Sequence, residues 1–309
     1  MIRQIPDGVY PTMITPYTAD GQIDYPAVKR LLRWYGERGA AGVFAICQSS
    51  EIFYLDFEER LSLLRFIMEN KPEGMTVVAS GHTASDPDTA AEEARAFIET
   101  GVDAYVFIAN RFASENESDG VLVQRALELL DRLPEIGFGV YECPYPYKRV
   151  LTPFVLSELS KTGRFLFLKD TCCDPEQIRR KLEAVKDTKL KIFNANAATL
   201  LATLRMGCAG YSGVMANFHP ELYAALCAKW KTEPALAEAL QDAVGFLSVA
   251  ECQCYPVNAK YYLDLEGLDM LPDSRARDKK EFTVSRQLEI RQMRQLTARM
   301  RETFLKDAF

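Results

Sequence analysis

The sequence predicts a (β/α)8 barrel followed by a C-terminal helical extension, and three observations carry that prediction. Short apolar runs alternate with longer segments of helical period, the rhythm of a parallel sheet covered by helices. Eight such runs can be counted, the number that closes a barrel. After Trp230 the strand signal stops and helix follows helix. The 309 residues, 48% hydrophobic and 26% charged, suit a folded chain with one large core. Barrels of this kind commonly use about 250 residues as one domain.

In order, the strands are read at 9–15, 42–46, 75–80, 104–109, 138–141, 165–169, 191–194 and 210–214. Helices fill the gaps. The first, 25–38, is amphipathic; 56–70 opens on the acidic turn of Asp56, Glu58 and Glu59; 86–100 begins Asp86-Pro87 and stops before Gly101. Further helical stretches are expected at 118–132, 152–162, 174–186, 197–206 and 218–230. Beyond them come 232–250, 255–264 and a charged segment at 281–305. The expected division is a barrel over 1–230 and an extension over 231–309, packed on the barrel or against a neighbouring subunit. No Gly/Ser/Pro-rich linker, low-complexity tract or short repeat argues for a separate domain.

A net charge of −6 without a long basic run gives no footprint for nucleic acid or an anionic membrane. The N-terminal MIRQIPDGVYPTMITPY lacks an uninterrupted apolar core followed by a small-residue cleavage site, and no run reaches about 18 apolar residues. A cytoplasmic location is expected. The eight cysteines form no CxxC pairs, and His82 and His219, the only histidines, lack an HExxH pattern, so free thiols and no metal are expected. No P-loop and no GxGxxG after a strand calls for a cofactor. Small-molecule chemistry by side chains remains.

Barrel active sites lie at the C-terminal strand ends, so the residues where each apolar run stops are the informative ones. Strand 6 runs Phe165 to Leu168 and then presents Lys169, although a buried ammonium is costly to desolvate. Strand 5 stops at Tyr141, so the two side chains should share one rim. An amine in apolar surroundings loses its proton more readily and can attack a carbonyl to form a Schiff base. A neighbouring phenol can move protons during that chemistry. Lys169 can equally extend its ammonium to water, and Tyr141 can be a core ring with a wet hydroxyl. Strand 2 ends in Cys47, Gln48, Ser49, Ser50 and Glu51, either an ordinary polar turn or a set of N–H and O–H donors for an anion. Asn194 and Asn196 after strand 7, Ser212 at strand 8 and His82 after strand 3 complete the polar strand ends; His219 before Pro220 reads as a helix start.

In chain order, GVYPTMITPY (8–17), SSE (49–51), YECP (141–144), LKDT (168–171) and GYSGVMAN (210–217) resemble the dihydrodipicolinate synthase/N-acetylneuraminate lyase family. The similarity spans about residues 6 to 300, and its most specific part is YxxP with the lysine 28 residues after the tyrosine. The resemblance implies a (β/α)8 class I aldolase, lyase or dehydratase acting on pyruvate or a related 2-oxo acid, as a homo-oligomer, dimer or tetramer. It implies Lys169 as the Schiff-base lysine, Tyr141 as the proton-moving tyrosine and the Gln48, Ser49, Ser50 turn as the carboxylate site.

Three departures from the family pattern bear on the substrate. Cys47 and Gln48 stand where the synthases have glycine and a relaying threonine. Asn110 and Arg111 replace aromatics after strand 4; Arg111 can grip a distal carboxylate or form a surface ion pair. Pro146 stands five residues after Tyr141, where the synthases place an arginine, while Tyr145, Lys148 and Arg149 lie beside it. The expectation is a dihydrodipicolinate synthase-like lyase with a different second substrate; the alternative is a non-catalytic carboxylate or sugar-acid binding or regulatory protein on the same barrel. The expected substrate contacts are Gln48, Ser49, Ser50, Arg111, Tyr145, Lys148, Asn196 and Ser212.

Overall fold

A computed structural model describes residues 2–305 of the chain; residues 306–309, assigned above to the extension, lie outside the described residues. Eight parallel strands form one sheet: β1 (Gly8–Val9), β2 (Gly42–Ala45), β3 (Thr76–Ala79), β4 (Ala104–Ile108), β5 (Gly137–Tyr141), β6 (Phe165–Asp170), β7 (Lys191–Asn194) and β8 (Gly210–Tyr211). Their spatial order is β1-β8-β7-β6-β5-β4-β3-β2. The ring is completed between β1 and β2, where the Ala41 amide donates to the Val9 carbonyl at 3.0 Å and the Met13 amide to the Phe44 carbonyl at 2.9 Å. This is the expected (β/α)8 barrel.

Each strand leads into a helix: α1 (Tyr25–Glu37), α2 (Phe57–Asn70), α3 (Pro87–Ile98), α4 (Asp119–Leu130), α5 (Pro153–Ser160), α6 (Pro175–Val185), α7 (Leu200–Met206) and α8 (Pro220–Lys229). The first six open on side-chain caps, Asp24, Asp56, Asp86, Ser118, Thr152 and Asp174, each accepting a backbone N–H of the first turn. Such caps satisfy donors that a helix start otherwise leaves orphaned. They set where each strand-end loop finishes. Three further helices follow, α9 (Pro234–Leu247), α10 (Val257–Leu265) and α11 (Val284–Phe304). One apolar core runs from Ile5 in the barrel to Leu305 after α11.

Two strands are shorter than their apolar runs. Of the run 9–15 only Val9 stays in the ladder, joined by Gly8 before it, with an isolated bridge at Thr12. Pro11 has no N–H to donate, and its carbonyl alone accepts, from the Phe44 amide at 2.9 Å. The run 210–214 keeps Gly210–Tyr211, because the chain then bends into a 3-10 turn at Val214–Asn217; at the seam with β1 there is no room for a side chain. A Cβ on Gly210 would sit 1.8 Å from the Gly8 carbonyl oxygen, and its φ of +156° is open to glycine.

Inside the barrel, Tyr10, Phe44, Phe167 and Phe193 form a contiguous layer of rings, with centroids 4.7 to 5.9 Å apart. This plug makes the lower barrel solid, so any ligand space lies above it. Burial holds the phenols of Tyr10, Tyr35, Tyr105, Tyr211, Tyr223 and Tyr262 above the ordinary tyrosine range. A folded state that keeps protons the unfolded chain releases loses stability as pH rises through the unfolded value near 10. Chemical denaturation at pH 9, 10 and 11 should show the loss steepening above pH 10, by about 1.4 kcal/mol per pH unit for each such tyrosine. A flat profile to pH 11 would contradict the burial.

Candidate active site

The register of β5 on β6 sets Tyr141 directly beside Lys169 at the C-terminal mouth. Alternation along both strands points these two inward and the following residues, Glu142 and Asp170, outward. Lys169 is 4% exposed. Its Nζ lies 4.3 Å from the centre of the Tyr141 ring and 5.9 Å from that of Phe44. Among the described residues this amine makes no hydrogen bond or ion pair. Burial lowers its pKa, against the opposing pull of Cys47, Cys143 and Glu251. The Tyr141 phenol is pushed well above its ordinary range, chiefly by burial, and stays neutral. Its hydroxyl donates to Gln48 Oε1 at 3.5 Å, an acceptor shared with Cys143 Sγ at 3.4 Å.

The turn after β2 is a single 3-10 turn, Gln48–Ser50, ended by Glu51 in the left-handed region at φ 63°. Ser49 Oγ donates to Thr12 Oγ1 at 3.1 Å. Ser50 Oγ accepts the Cys47 amide and donates to the Met13 carbonyl. Glu51 is buried and fastens the turn to the extension: it accepts from Lys260 Nζ at 2.8 Å, Ser274 Oγ at 2.9 Å and the amides of Arg275 and Ala276 at 2.6 and 2.9 Å. The segment 273–277 is thereby held over the mouth.

Behind the rim, Lys181 on α6 donates to both Glu142 and Asp170, and all three side chains are fully buried. Burial raises the Glu142 pKa, Asp170 adds to that, and Lys181 opposes it. Glu142 also accepts the amides of Leu151 and Thr171, at 2.8 and 2.7 Å. This outward cluster fixes the chain directly after Tyr141 and directly after Lys169, and so fixes the rim.

A cavity of about 460 Å³ opens at this mouth. Of the residues expected to contact substrate, it is lined by Gln48, Ser49, Tyr145, Lys148 and Asn196, beside Tyr141 and Lys169. Asn196 also caps the turn at 197–199, accepting the Thr199 amide at 3.2 Å. Ser50, Arg111 and Ser212 do not line it. The Ser50 hydroxyl is engaged by the Cys47 amide and the Met13 carbonyl, and Ser212 is fully buried after β8. Arg111 lines a neighbouring cavity of about 660 Å³ together with His82, and its guanidinium lies 5.2 Å from the centre of Phe53, a ring that lines the first cavity.

His82 accepts the Ile108 amide at Nδ1, 3.1 Å, and burial followed by Arg111 pushes it down to about 3, so it is a neutral imidazole outside the lysine cavity. His219 stacks on Tyr223, and burial likewise pushes it down to about 3. Sequence reading missed Glu251, Tyr255 and Arg277, which line the cavity from the extension. Tyr255 accepts from Asn217 Nδ2 at 3.1 Å, and Asn217 in turn accepts from the Tyr35 hydroxyl. Strand-end logic could not find these three, because none follows a strand.

Fold and site together define a (β/α)8 barrel protein whose candidate active site is a desolvated lysine in the strand-end cavity. The chain belongs to the dihydrodipicolinate synthetase family, whose model matches residues 5–276. Members of that family are pyruvate-dependent class I aldolases and lyases. Among curated relatives, 4-hydroxy-tetrahydrodipicolinate synthase of Saccharophagus degradans is 25% identical over 228 residues, 73% of this chain and 77% of the relative. The enzyme of the same name from Ectopseudomonas mendocina is 24% identical over 260 residues, 83% of this chain and 87% of the relative. Two solved structures share the fold. YagE, a prophage protein of that family from E. coli K12, in complex with pyruvate, superposes with a TM-score of 0.85 at 20% identity, covering 94% of this chain and 98% of its own. Ruminococcus gnavus sialic acid aldolase gives 0.85 at 20% identity, covering 97% and 100%. Among the described residues no helix is long and apolar enough to cross a membrane.

Proposed function

We propose that the chain is a Schiff-base-forming lyase, an aldolase or dehydratase acting on pyruvate or a related 2-oxo acid, with Lys169 as nucleophile and Tyr141 as its proton-moving partner. The observation that carries this is the Lys169 amine: desolvated, unpaired among the described residues and seated against the Tyr141 ring. A buried ammonium without a counter-charge is costly, so the neutral, nucleophilic form is favoured. Its attack on C2 gives a carbinolamine, with Tyr141 carrying the proton from nitrogen to oxygen; loss of water gives an iminium that withdraws electrons from C3. No metal or cofactor takes part in this reading. The amides of Gln48 and Ser49 open their turn without a backbone acceptor among the described residues, which supports them, with Ser49 Oγ, as the carboxylate site.

The second substrate differs from that of the synthases. Pro146 stands where they carry arginine, and among the described residues Lys148 and Arg277 are the cations that line the cavity besides Lys169. A carboxylated or sugar-acid partner, met by these two and by Tyr145 and Asn196, fits that rim. Ser50, Arg111 and Ser212 are left out of the contact set. The reading includes a cytoplasmic homo-oligomer, supported by exposed apolar side chains on α11, among them Val284 and Leu288, and testable by sedimentation.

Borohydride reduction in the presence of pyruvate, followed by intact mass and peptide mapping, tests the reading. The expected result is one reduced adduct, on Lys169. Because burial lowers this lysine, trapping should reach its plateau below the usual lysine range near 10.4. No adduct from pyruvate, 2-oxobutyrate or 2-oxoglutarate would overturn it.

A further inference from the structure

Imine formation at Lys169 needs a group that can give up a proton, and the turn after β2 does not supply one. The hydrogen-bond partner of the Tyr141 hydroxyl is the amide oxygen of Gln48, which accepts but has no titrating proton to return. Burial keeps Tyr141 itself un-ionised. A phenol in that position can shift a proton between two substrate atoms; it cannot draw a fresh one from solvent through Gln48.

Among the described residues the cavity holds one carboxyl group free to do so. Glu51 lines it as well, but four donors engage Glu51. Glu251, just after α9, also lines it, and among the described residues its carboxylate makes no hydrogen bond and no ion pair. Burial raises its pKa while Lys169 pulls it down, and its charge acts in return on Lys169. Tyr255, Lys148 and Arg277 line the same cavity, and Glu251 raises the phenols of Tyr211, Tyr223 and Tyr255, which burial already holds neutral.

We propose that Glu251, contributed by the C-terminal extension, is the acid–base residue of this cavity, giving the proton that releases water from the carbinolamine on Lys169. The inference rests on the Schiff-base reading. Lys169 and Glu251 line the same cavity, and burial favours the uncharged form of each. With Glu251 protonated, the amine adds to C2 of the oxo acid and Tyr141 carries a proton from the nitrogen to the new alkoxide, giving the carbinolamine. Glu251 then protonates the C2 hydroxyl, the C2–O bond breaks, water leaves, and the nitrogen lone pair closes the iminium. The product is a cationic iminium beside an anionic carboxylate, so the step adds no net charge to that brought by the substrate's own carboxylate. Hydrolysis of the product imine runs the same steps backwards.

Rapid-quench borohydride trapping with pyruvate, on the full chain from pH 5 to 9, tests this with pyruvate as the sole substrate. Glu251→Gln preserves size and removes only the titration. It should slow imine formation by about 10²- to 10⁴-fold, the range of general acid catalysis, and remove the corresponding limb of the pH profile. Glu251→Ala should be equally slow and partly rescued by formate, which a purely structural role would not produce. A Glu251→Gln protein that traps pyruvate at the wild-type rate with the wild-type profile overturns the proposal and leaves the Schiff base standing. A slow Glu251→Ala protein with native circular dichroism that formate does not accelerate also overturns it. A wild-type chain trapped by no 2-oxo acid removes the Schiff-base reading itself.

Discussion

Lys169→Arg is expected to abolish adduct formation with any 2-oxo acid and to lower lyase turnover by roughly 10⁵-fold or more, the scale of removing a covalent nucleophile. A guanidinium keeps the positive charge but stays protonated and cannot form the imine. The same variant separates catalyst from receptor. If the barrel only binds carboxylates, pyruvate affinity measured by calorimetry should survive the change within a few-fold, and there should be no turnover to lose. Turnover that persists in Lys169→Arg would place the chemistry elsewhere. Circular dichroism controls for folding, since the change adds bulk where Lys169 packs on Tyr141 and Phe44.

The largest stability effect should come from Lys181→Met, which leaves Glu142 and Asp170 facing each other in a fully buried site. Breaking a buried ion pair from one side costs about 3–5 kcal/mol, through the uncompensated charge left behind. Denaturant midpoints with an unchanged slope would measure it. Adding Asp170→Asn to Lys181→Met should recover part of the loss, because one of the two stranded charges is then gone. The pH dependence has a definite sign. Burial alone would lower the Lys181 pKa, but Glu142 and Asp170 outweigh it and raise the group above 10.5. In the wild type this contribution is therefore complete below pH 10.5 and is lost as pH rises beyond it. In Lys181→Met the stranded carboxyls hold their protons more tightly than the unfolded chain does, so the deficit should shrink as pH falls from 8 towards 5. A deficit below about 1 kcal/mol would mean that the trio is not closed as described. The site should suffer too, since Glu142 and Asp170 directly follow Tyr141 and Lys169.

Side-chain period and local chemistry made much of this protein readable in one dimension. Strands buried on both faces appear as continuous apolar runs, and acidic or hydroxyl caps mark where helices begin, so the eight strands and their helices could be counted. A lysine closing such a run, with a tyrosine closing the previous one, is also visible, because adjacent parallel strands end at one rim. Where a strand stops pairing was less visible. Pro11 cannot donate to a ladder, and the chain bends into a 3-10 turn at Val214–Asn217 soon after Tyr211, a bend that an apolar run does not mark.

The functional wall of the cavity was divided in the same way. Lys169, Tyr141, Gln48 and Ser49 follow from strand-end position. Arg111 and Ser212 also sit at strand ends, yet a ring of Phe53 and complete burial, respectively, keep them out of the lysine cavity. Glu251, Tyr255 and Arg277 come from helices and loops with no strand to mark them. They reach the mouth because Glu51, which ends the Gln48–Ser50 turn, is bonded to Lys260, Ser274 and the 275–276 backbone. The sequence by itself determined the barrel, the order of its elements and the lysine–tyrosine pair, since these depend on residue type at a fixed period along the chain. Only the tertiary structure decided which carboxylates are locked and which is free, because that depends on partners some 200 residues apart whose meeting no local pattern records.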